Sequence, residues 1–514
     1  MKSTHVGMLS ALGMLLVGGA VFAITPAGGF GATKERPTAS SDTDDTDDDN
    51  RQGSTDGGNA TTEGATFSVS NGPVLLDARL GHSSLLAAAP DETYVMLELR
   101  GDEKAGGTPP VAALSLVIDK SGSMRGTRFS NAIQAAVTAV QQLRDGDSVS
   151  VVAFDTRSEK VVPLTVVNPS TRQNVIQSIR NIQLGGDTCV SCGIEDGLAD
   201  LRTATAGNNT MVQRMILLSD GAANNGIRDV PGFKGLGQRA LSQGVNIAAI
   251  GVDVDFDEKV LSALATSSNG RHYFVENDVD LVRVFEQEAA SVGASVASNT
   301  VAEIELAPGV ELVRVFDRQF SRAGSRLSVP LGTFAKGEVK TVLAKVRIPK
   351  GKPGSLSVAN VRLTYRDLGA EKDATSSGKL AALLVDDKDA LTPIDAIVLD
   401  RLQRSETATA LREANNLFSV GKADEARKRL EDQKTKLSAS RSAATNAPAA
   451  RAGDINKSFD KQEQEISRSI DNFATPPPPD AAAPAPPAGQ PAPAPAKPKA
   501  QMKRNAAEAD AFGF

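Results

Sequence analysis

The feature that most constrains the fold is a short apolar run that ends abruptly in a polar turn. The run Leu114–Ile118 is followed directly by Asp119-Lys120-Ser121-Gly122-Ser123. Its length and β-branched content predict a strand that is buried on both faces. The next segment, Arg128–Leu143, carries apolar residues at helical spacing. One carboxylate and two hydroxyls therefore lie between a buried strand and a helix, which is where open α/β sheets bind ligands.

Two later loops carry side chains of the same kind. Thr188 ends the run Gly185-Gly186-Asp187-Thr188, and Asp220 follows the apolar strand Met215–Leu218. With Asp119, Ser121 and Ser123 in the first loop, this ordered set closely resembles the metal-ion-dependent adhesion site of von Willebrand factor A domains. The resemblance covers residues 111–292 and implies a doubly wound α/β domain with a mostly parallel, Rossmann-like sheet.

The resemblance also implies how the site would work. Ser121, Ser123 and Thr188 would coordinate a divalent cation directly, while Asp119 and Asp220 would act through waters or hydrogen bonds. Because every candidate ligand is an oxygen, the expected ion is Mg²⁺, with Mn²⁺ or Ca²⁺ as alternatives. Neutral hydroxyls leave most of the ion's charge uncompensated, so an Asp or Glu carboxylate of a protein partner would be drawn to the open position.

The chain has two cysteines, Cys189 and Cys192, directly after Thr188. In an exported protein the first interpretation is a local disulfide that fixes the metal loop to the following helix. A redox pair, a zinc site and free thiols remain as alternatives. A zinc site would need two further ligands, and the chain has only three histidines.

Both flanks of the predicted domain have the sequence pattern of short strands separated by Gly, Pro and Asn. They span residues 66–110 and 299–386. Neither flank has enough strands for a convincing sheet of its own. We therefore predict that the two flanks fold together as one β-sandwich, with the α/β domain inserted between them.

The sequence after the second flank changes character twice. Residues 392–473 have helical periodicity, with a predicted hairpin turn at Gly421-Lys422. Residues 474–514 form a Pro/Ala-rich tail that we predict to be disordered and extended. The final residues are interpreted as a frayed terminus, with a docking segment as the alternative.

The N-terminus predicts an exported protein at the cell surface, in the periplasm or outside the cell. Residues 1–23 have the basic start, apolar run and small closing residues of a signal peptide, although the run is nearly long enough for a retained membrane anchor. Residues 24–65 form a linker whose acidic run, Asp42–Asp49, holds six Asp and accounts for the whole net charge of −6. The neutral remainder offers no broad basic surface for nucleic acid.

These patterns predict a binding protein that holds an acidic group of a protein partner through a divalent cation. The alternative is a structural or assembly subunit of an envelope complex, with the α/β domain as a scaffold. We do not expect an enzyme, because no base or nucleophile is paired with the loops.

Overall fold

A computed structural model describes residues 64–204, 211–253, 256–276, 278–444, 447–473 and 497–513. The predicted signal peptide, residues 1–23, lies outside these ranges, as does the acidic linker up to residue 63. Among the described helices, none combines the length and the apolar character needed to cross a membrane.

The N-terminal flank contributes four strands. These are β1 (Thr66–Ser70), β2 (Val74–Leu80), β3 (Ser84–Leu86) and β4 (Asp91–Gly101).

Residues 112–293 alternate strands and helices. Their strands are β5 (Ala112–Asp119), β6 (Ser148–Phe154), β7 (Ser158–Val166), β8 (Val212–Ser219), β9 (Val245–Val252) and β10 (His272–Val275). Their helices are α1 (Thr127–Gln142), α2 (Pro169–Arg180), α3 (Val190–Ala204), α4 (Val230–Ser242), α5 (Glu258–Ser267) and α6 (Asp278–Gly293).

The six strands of this segment form one sheet in the order β10-β9-β8-β5-β6-β7. All neighbours are parallel except the edge strand β7, which pairs antiparallel with β6. Every residue of β5 is buried, as its continuous apolar run predicts for a central parallel strand. Helices α1, α2 and α6 cover one face of the sheet and α3, α4 and α5 the other. The predicted doubly wound α/β architecture is therefore present.

The C-terminal flank contributes seven strands. These are β11 (Ser295–Leu306), β12 (Glu311–Phe316), β13 (Ser321–Ala323), β14 (Arg326–Ala335), β15 (Val339–Ile348), β16 (Gly354–Asp367) and β17 (Lys372–Val385).

Strands from the two flanks share their sheets. One sheet has the order β1-β2-β4-β15-β12 and the other β13-β14-β11-β16-β17-β3. The long antiparallel pairing of β4 with β15 runs from Asp91–Ile348 to Arg100–Val339, so it joins chain segments that the α/β domain separates. Apolar residues of both sheets belong to a single buried cluster. The α/β domain is therefore inserted into the flanking β structure.

The described residues after the second flank form four α-helices: α7 (Ala396–Ser419), α8 (Ala423–Ala443), α9 (Ala449–Asn472) and α10 (Lys497–Gly513). Their core includes Met96 and Leu343 from β4 and β15, so the helices pack on the sheet that contains these strands. Phe418 at the end of α7 stacks on Phe473, with ring centroids 4.3 Å apart. The guanidinium of Arg451 on α9 donates two 2.8 Å hydrogen bonds to the Glu98 carboxylate on β4.

The prediction of a disordered tail over residues 474–514 is wrong for its last part. Residues 497–513 form α10, and residues 474–496 lie outside the described ranges. The interpretation of the final residues as a frayed terminus is also wrong, because Ala509 and Phe512 are buried among the residues of the helical core. Local composition favoured disorder, whereas tertiary contacts with distant segments stabilise the helix.

Candidate metal centre

Asp119 is the last residue of β5 and is completely buried. Its Oδ1 accepts a 2.8 Å hydrogen bond from the Ser121 backbone N–H, and its Oδ2 accepts a 2.7 Å bond from the Ser219 hydroxyl. Burial raises the pKa of Asp119 to about 6, although these hydrogen bonds oppose the shift. The buried carboxylate of Asp119 therefore holds the first loop in place through these hydrogen bonds.

The two serine hydroxyls of the first loop lie side by side. Ser121 Oγ and Ser123 Oγ are 3.0 Å apart, and the Ser123 hydroxyl donates a 2.7 Å hydrogen bond to Asp220 Oδ1. Adjacent ligands of an octahedral Mg²⁺ at 2.0–2.1 Å would be about 2.9 Å apart. The spacing of the two hydroxyls is therefore close to that required for neighbouring ligands of one small cation.

Backbone hydrogen bonds join the second loop to the first. The Gly122 N–H donates to Gly186 O at 2.9 Å, and the Gly185 N–H donates to Lys120 O at 2.7 Å. A Cβ atom on Gly185 would lie only 1.8 Å from Asp155 Oδ2, so this close approach requires glycine. The Gly-Gly pair therefore holds the following residues against the first loop.

Thr188 and the third loop are joined in the same way. The Thr188 N–H donates to Asn224 Oδ1 at 2.8 Å, and the Asn224 N–H donates to Thr188 O at 3.1 Å. A Cβ built on Gly221 would lie 3.5 Å from Ser123 Oγ and 3.8 Å from Thr188 Oγ1. The hydroxyls of the first and second loops therefore border the same position beside Asp220.

Arg128, in the first turn of α1, is a site residue that the sequence-based reasoning missed. Its Nη1 donates to Asp220 Oδ2 at 3.1 Å and to Ser123 O at 3.3 Å, and its Nη2 donates to Asp253. Burial raises the pKa of Asp220, while Ser123 and Arg128 oppose that shift. The spacing from Ser123 could have drawn attention to Arg128, because a residue in the first turn of α1 lies close to the preceding loop. Asp253, in contrast, is distant from Arg128 in the sequence, and only the tertiary structure brings the two side chains together.

Cys189 and Cys192 lie at the start of α3 with their Cα atoms 5.4 Å apart, a separation that suits a disulfide. The Cys189 N–H donates to Asp155 O at 2.7 Å. Gly226 in the third loop has φ +68°, and a Cβ there would lie 2.7 Å from Cys189 Sγ. The cysteine pair is therefore packed directly between the second and third loops.

The five predicted site residues thus come from three loops that meet at the carboxyl edge of the sheet. Asp119, Ser121, Ser123 and Asp220 are connected by short hydrogen bonds, and Thr188 borders the same position. Within the described ranges, no group of three or more His, Cys, Asp and Glu side chains is arranged to hold a metal. The oxygen-only, hydroxyl-rich set fits a hard cation such as Mg²⁺ and does not fit the nitrogen and sulfur preference of zinc.

Comparison with known proteins places the α/β segment in a family. Residues 114–288 match the model of the von Willebrand factor type A domain. Among curated sequences, the chain is 25% identical over 264 residues to the uncharacterized protein sll0103 of Synechocystis, covering 49% of this chain and 61% of that protein. It is 24% identical over 228 residues to the uncharacterized protein YfbK of Escherichia coli, covering 43% and 39%. The chain thus spans less than two thirds of the length of either relative.

Solved structures share the fold over a larger part of the chain. A von Willebrand factor type A protein from Catenulispora acidiphila superposes with a TM-score of 0.62 at 18% identity, covering 79% of this chain and 91% of that one. The ArnB paralog VWA2 from Sulfolobus acidocaldarius gives a TM-score of 0.52 at 16% identity, covering 77% and 98%. With three loops meeting at one sheet edge and a matching family model, residues 114–288 are a von Willebrand factor type A domain.

Proposed function

We propose that this chain is an exported binding protein that uses a Mg²⁺-type cation to hold an acidic group of a protein partner. The observation that carries the proposal is the 3.0 Å approach of Ser121 Oγ and Ser123 Oγ beside Asp220. Von Willebrand factor A domains commonly bind protein partners, which supports the choice of a protein ligand. We also infer that the two flanking sheets form a β-sandwich that carries the domain.

In this proposal Ser121, Ser123 and Thr188 are the direct ligands of the cation. The carboxylates of Asp119 and Asp220 hold the hydroxyl-bearing loops and supply negative charge nearby. The cation would supply a Lewis-acidic position for an Asp or Glu carboxylate of the partner. No residue of the three loops is assigned a proton-transfer or nucleophilic role. That the protein is not an enzyme stays a prediction.

Calorimetric titration of the full chain with Mg²⁺ and Mn²⁺ tests the proposal. We expect saturable binding that Asp119→Ala abolishes, because its loss removes the hydrogen bonds that shape the first loop. Asp187→Asn is the matched control, since it removes a carboxylate from an exposed side chain next to Thr188. Absence of saturable binding by the native chain, or equal binding by Asp119→Ala, would contradict the assignment of the site.

A pull-down from an envelope extract, with and without a chelator, then tests the partner. We expect chelation to release a protein that binds the native chain, and esterification of the partner's carboxyl groups to have the same effect. Retention of the same protein in chelator would instead favour the second candidate, a subunit of an envelope assembly. That candidate is supported by the C-terminal helix α10, whose ion pairs with Glu258, His272 and Glu276 join the helical region to the α/β domain.

Export and the disulfide complete the proposal. An oxidising compartment would maintain the Cys189–Cys192 bond next to Thr188. N-terminal sequencing of the mature protein, together with thiol counting under denaturing, non-reducing conditions, tests both points. A mature chain that begins at residue 1, or two titratable thiols, would count against this part of the proposal.

A further inference from the structure

The C-terminal helix α10 lies between the von Willebrand factor A domain and the helical region, and it contacts both. On the domain side, Asp510 pairs with His272 of β10 at 3.0 Å, and Arg504 pairs with Glu276 at 2.7 Å. Lys503 reaches Glu258 at the start of α5. These contacts join residues more than two hundred positions apart in the chain.

On the other side, α10 is held by side-chain amides and by ion pairs of Asp510 with Arg412 and of Glu508 with Lys461. Asn505 Nδ2 donates to Asn415 Oδ1 at 2.9 Å, and Asn472 Nδ2 donates to Gln501 Oε1 at 2.8 Å. The carbonyl of Gly513 accepts a 2.8 Å hydrogen bond from the buried guanidinium of Arg401. The pairing of Asn472 with Gln501 also places the start of α10 close to the end of α9.

Much of the buried face of α10 is polar. Gln501, Asn505 and Asp510 are each at most 3% exposed, while Phe512 is the one large apolar side chain among the described residues of α10 that is fully buried. A net hydrogen bond contributes only about 1 kcal/mol, because water replaces it when the helix leaves. The buried face of α7 has five large aliphatic side chains and Phe418, so the face of α10 makes the smaller hydrophobic contribution.

A pocket that is partly open to solvent borders α10. It has a volume of about 480 Å³ and is lined by His272, Thr341 and Arg404 together with Glu508 and Asp510 of α10. The Nε2 atom of His272 is buried and has no hydrogen-bond partner. Buried polar groups normally have a hydrogen-bond partner. Docking of α10 therefore leaves this nitrogen without one, and water can supply a partner when the helix leaves.

The segment of sequence between α9 and α10 is longer than the usual connection between neighbouring helices. Antiparallel neighbouring helices are usually joined by about two to eight residues, whereas this chain uses residues 474–496. A tethered segment docks at an effective concentration in the millimolar range, so a helix with an intermolecular Kd of about 10 µM would be docked about 99% of the time. A helix that is tethered to its own chain can leave its binding position and return without being lost by diffusion.

From these observations, we propose that α10 is a detachable latch that clamps the von Willebrand factor A domain to the helical region. Its release uncovers His272 and the start of α5. Release of α10 would also affect the candidate metal centre, and this consequence rests on the proposed function. Lys503 holds the start of α5, a few residues after Asp253, and Asp253 in turn holds Arg128 against Asp220.

Native-state hydrogen exchange of the full chain tests the latch. We expect the amides of α10 to exchange at least a hundredfold faster than those of α7 and α9, through an opening that leaves those helices protected. Lys503→Gln should accelerate exchange in α10 further, and Lys499→Gln, which alters an exposed lysine of the same helix, should not. Exchange of α10 at the same rate as α7, through global unfolding only, would overturn the proposal.

A protease site inserted into residues 474–496 provides the second measurement. After cleavage of the folded chain, we expect α10 to dissociate on dilution with a micromolar Kd and a synthetic peptide of residues 497–514 to restore the complex. Retention of α10 at nanomolar concentration would overturn the latch. Mn²⁺ titration before and after its removal should show at least a threefold change in Kd. An unchanged Kd would overturn the link to the metal centre, whereas no Mn²⁺ binding in either form would contradict only the proposed function.

Discussion

Arg128 provides the sharpest test of the candidate metal centre, because it supplies a positive charge where the proposed cation would supply another. Its guanidinium pairs with Asp220, whose side chain is fully buried, while 31% of the Arg128 side chain is exposed. We predict that Arg128→Gln lowers the free energy of unfolding of the cation-free protein and tightens the binding of the cation. Arg125→Gln is the matched control, since Arg125 is exposed and lies three residues earlier.

The magnitude follows from the burial of the two partners. Removing one partner of a fully buried ion pair costs about 3–5 kcal/mol, and an exposed pair contributes about 0–1 kcal/mol. With one partner buried and the other partly exposed, we expect a loss of about 1.5 kcal/mol in the free energy of unfolding without cation. If the bound cation replaces the lost charge, the loss disappears at saturation. By linkage, the Kd for Mg²⁺ then becomes about tenfold tighter.

Differential scanning calorimetry with and without Mg²⁺ measures the two stabilities, and isothermal titration measures the Kd. The prediction requires that the native and Arg128→Gln chains differ in stability without cation and converge with it. An equal loss of stability under both conditions, with an unchanged Kd, would refute the idea that Arg128 and the cation neutralise the same carboxylate. Tighter binding by Arg125→Gln as well would point to a general surface-charge effect instead.

Three further predictions concern the rest of the fold. Burial acts to raise the pKa of Glu98, but the ion pair with Arg451 outweighs burial and holds that pKa below its usual range. The ion pair therefore stabilises the fold above the unfolded pKa of about 4.3, and this stabilisation is lost as the pH falls through the lower folded pKa. Glu98→Gln should therefore cost about 1–2 kcal/mol at pH 7 and nothing below the folded pKa, as measured by calorimetry across pH; a constant difference would contradict this. Phe418→Ala should cost about 3–5 kcal/mol by removing the ring stacked on Phe473, measured by denaturant unfolding, with Leu417→Ala as the partly buried control. Gly226→Ala should weaken Mn²⁺ binding, since φ is +68° and the new Cβ would lie 2.4 Å from Ser191 Oγ and 2.7 Å from Cys189 Sγ at the start of α3; unaltered binding would show that the third loop tolerates the change.

Much of the candidate site could be predicted because its signals are local. A buried strand must end at a sheet edge, and parallel strands place their carboxyl ends on the same side, so Asp119 and Asp220 had to emerge near each other. The hydroxyls of Ser121 and Ser123 follow from their position on the same turn. Thr188 was identified through the family resemblance, since no adjacent strand precedes it.

Other parts could not be read from the sequence because they depend on contacts between distant segments. Asp253 meets Arg128 only when the end of β9 packs beside the first turn of α1. Likewise, Pro- and Ala-rich composition favoured disorder at the C-terminus, yet α10 is held by Asn415 and Arg401 of α7 and by His272 of β10. A single-sequence pattern contains no information about such partners.

By itself, then, the sequence determined the doubly wound domain and the loops that carry the candidate oxygen ligands, because hydrophobic periodicity and turn chemistry act over a few residues. Only the tertiary structure decided which charges stand beside those ligands and whether the C-terminal segment is ordered. The physical reason is that ion pairs and helix docking depend on distances in space, and the chain brings those groups together only after its sheets and helices have packed.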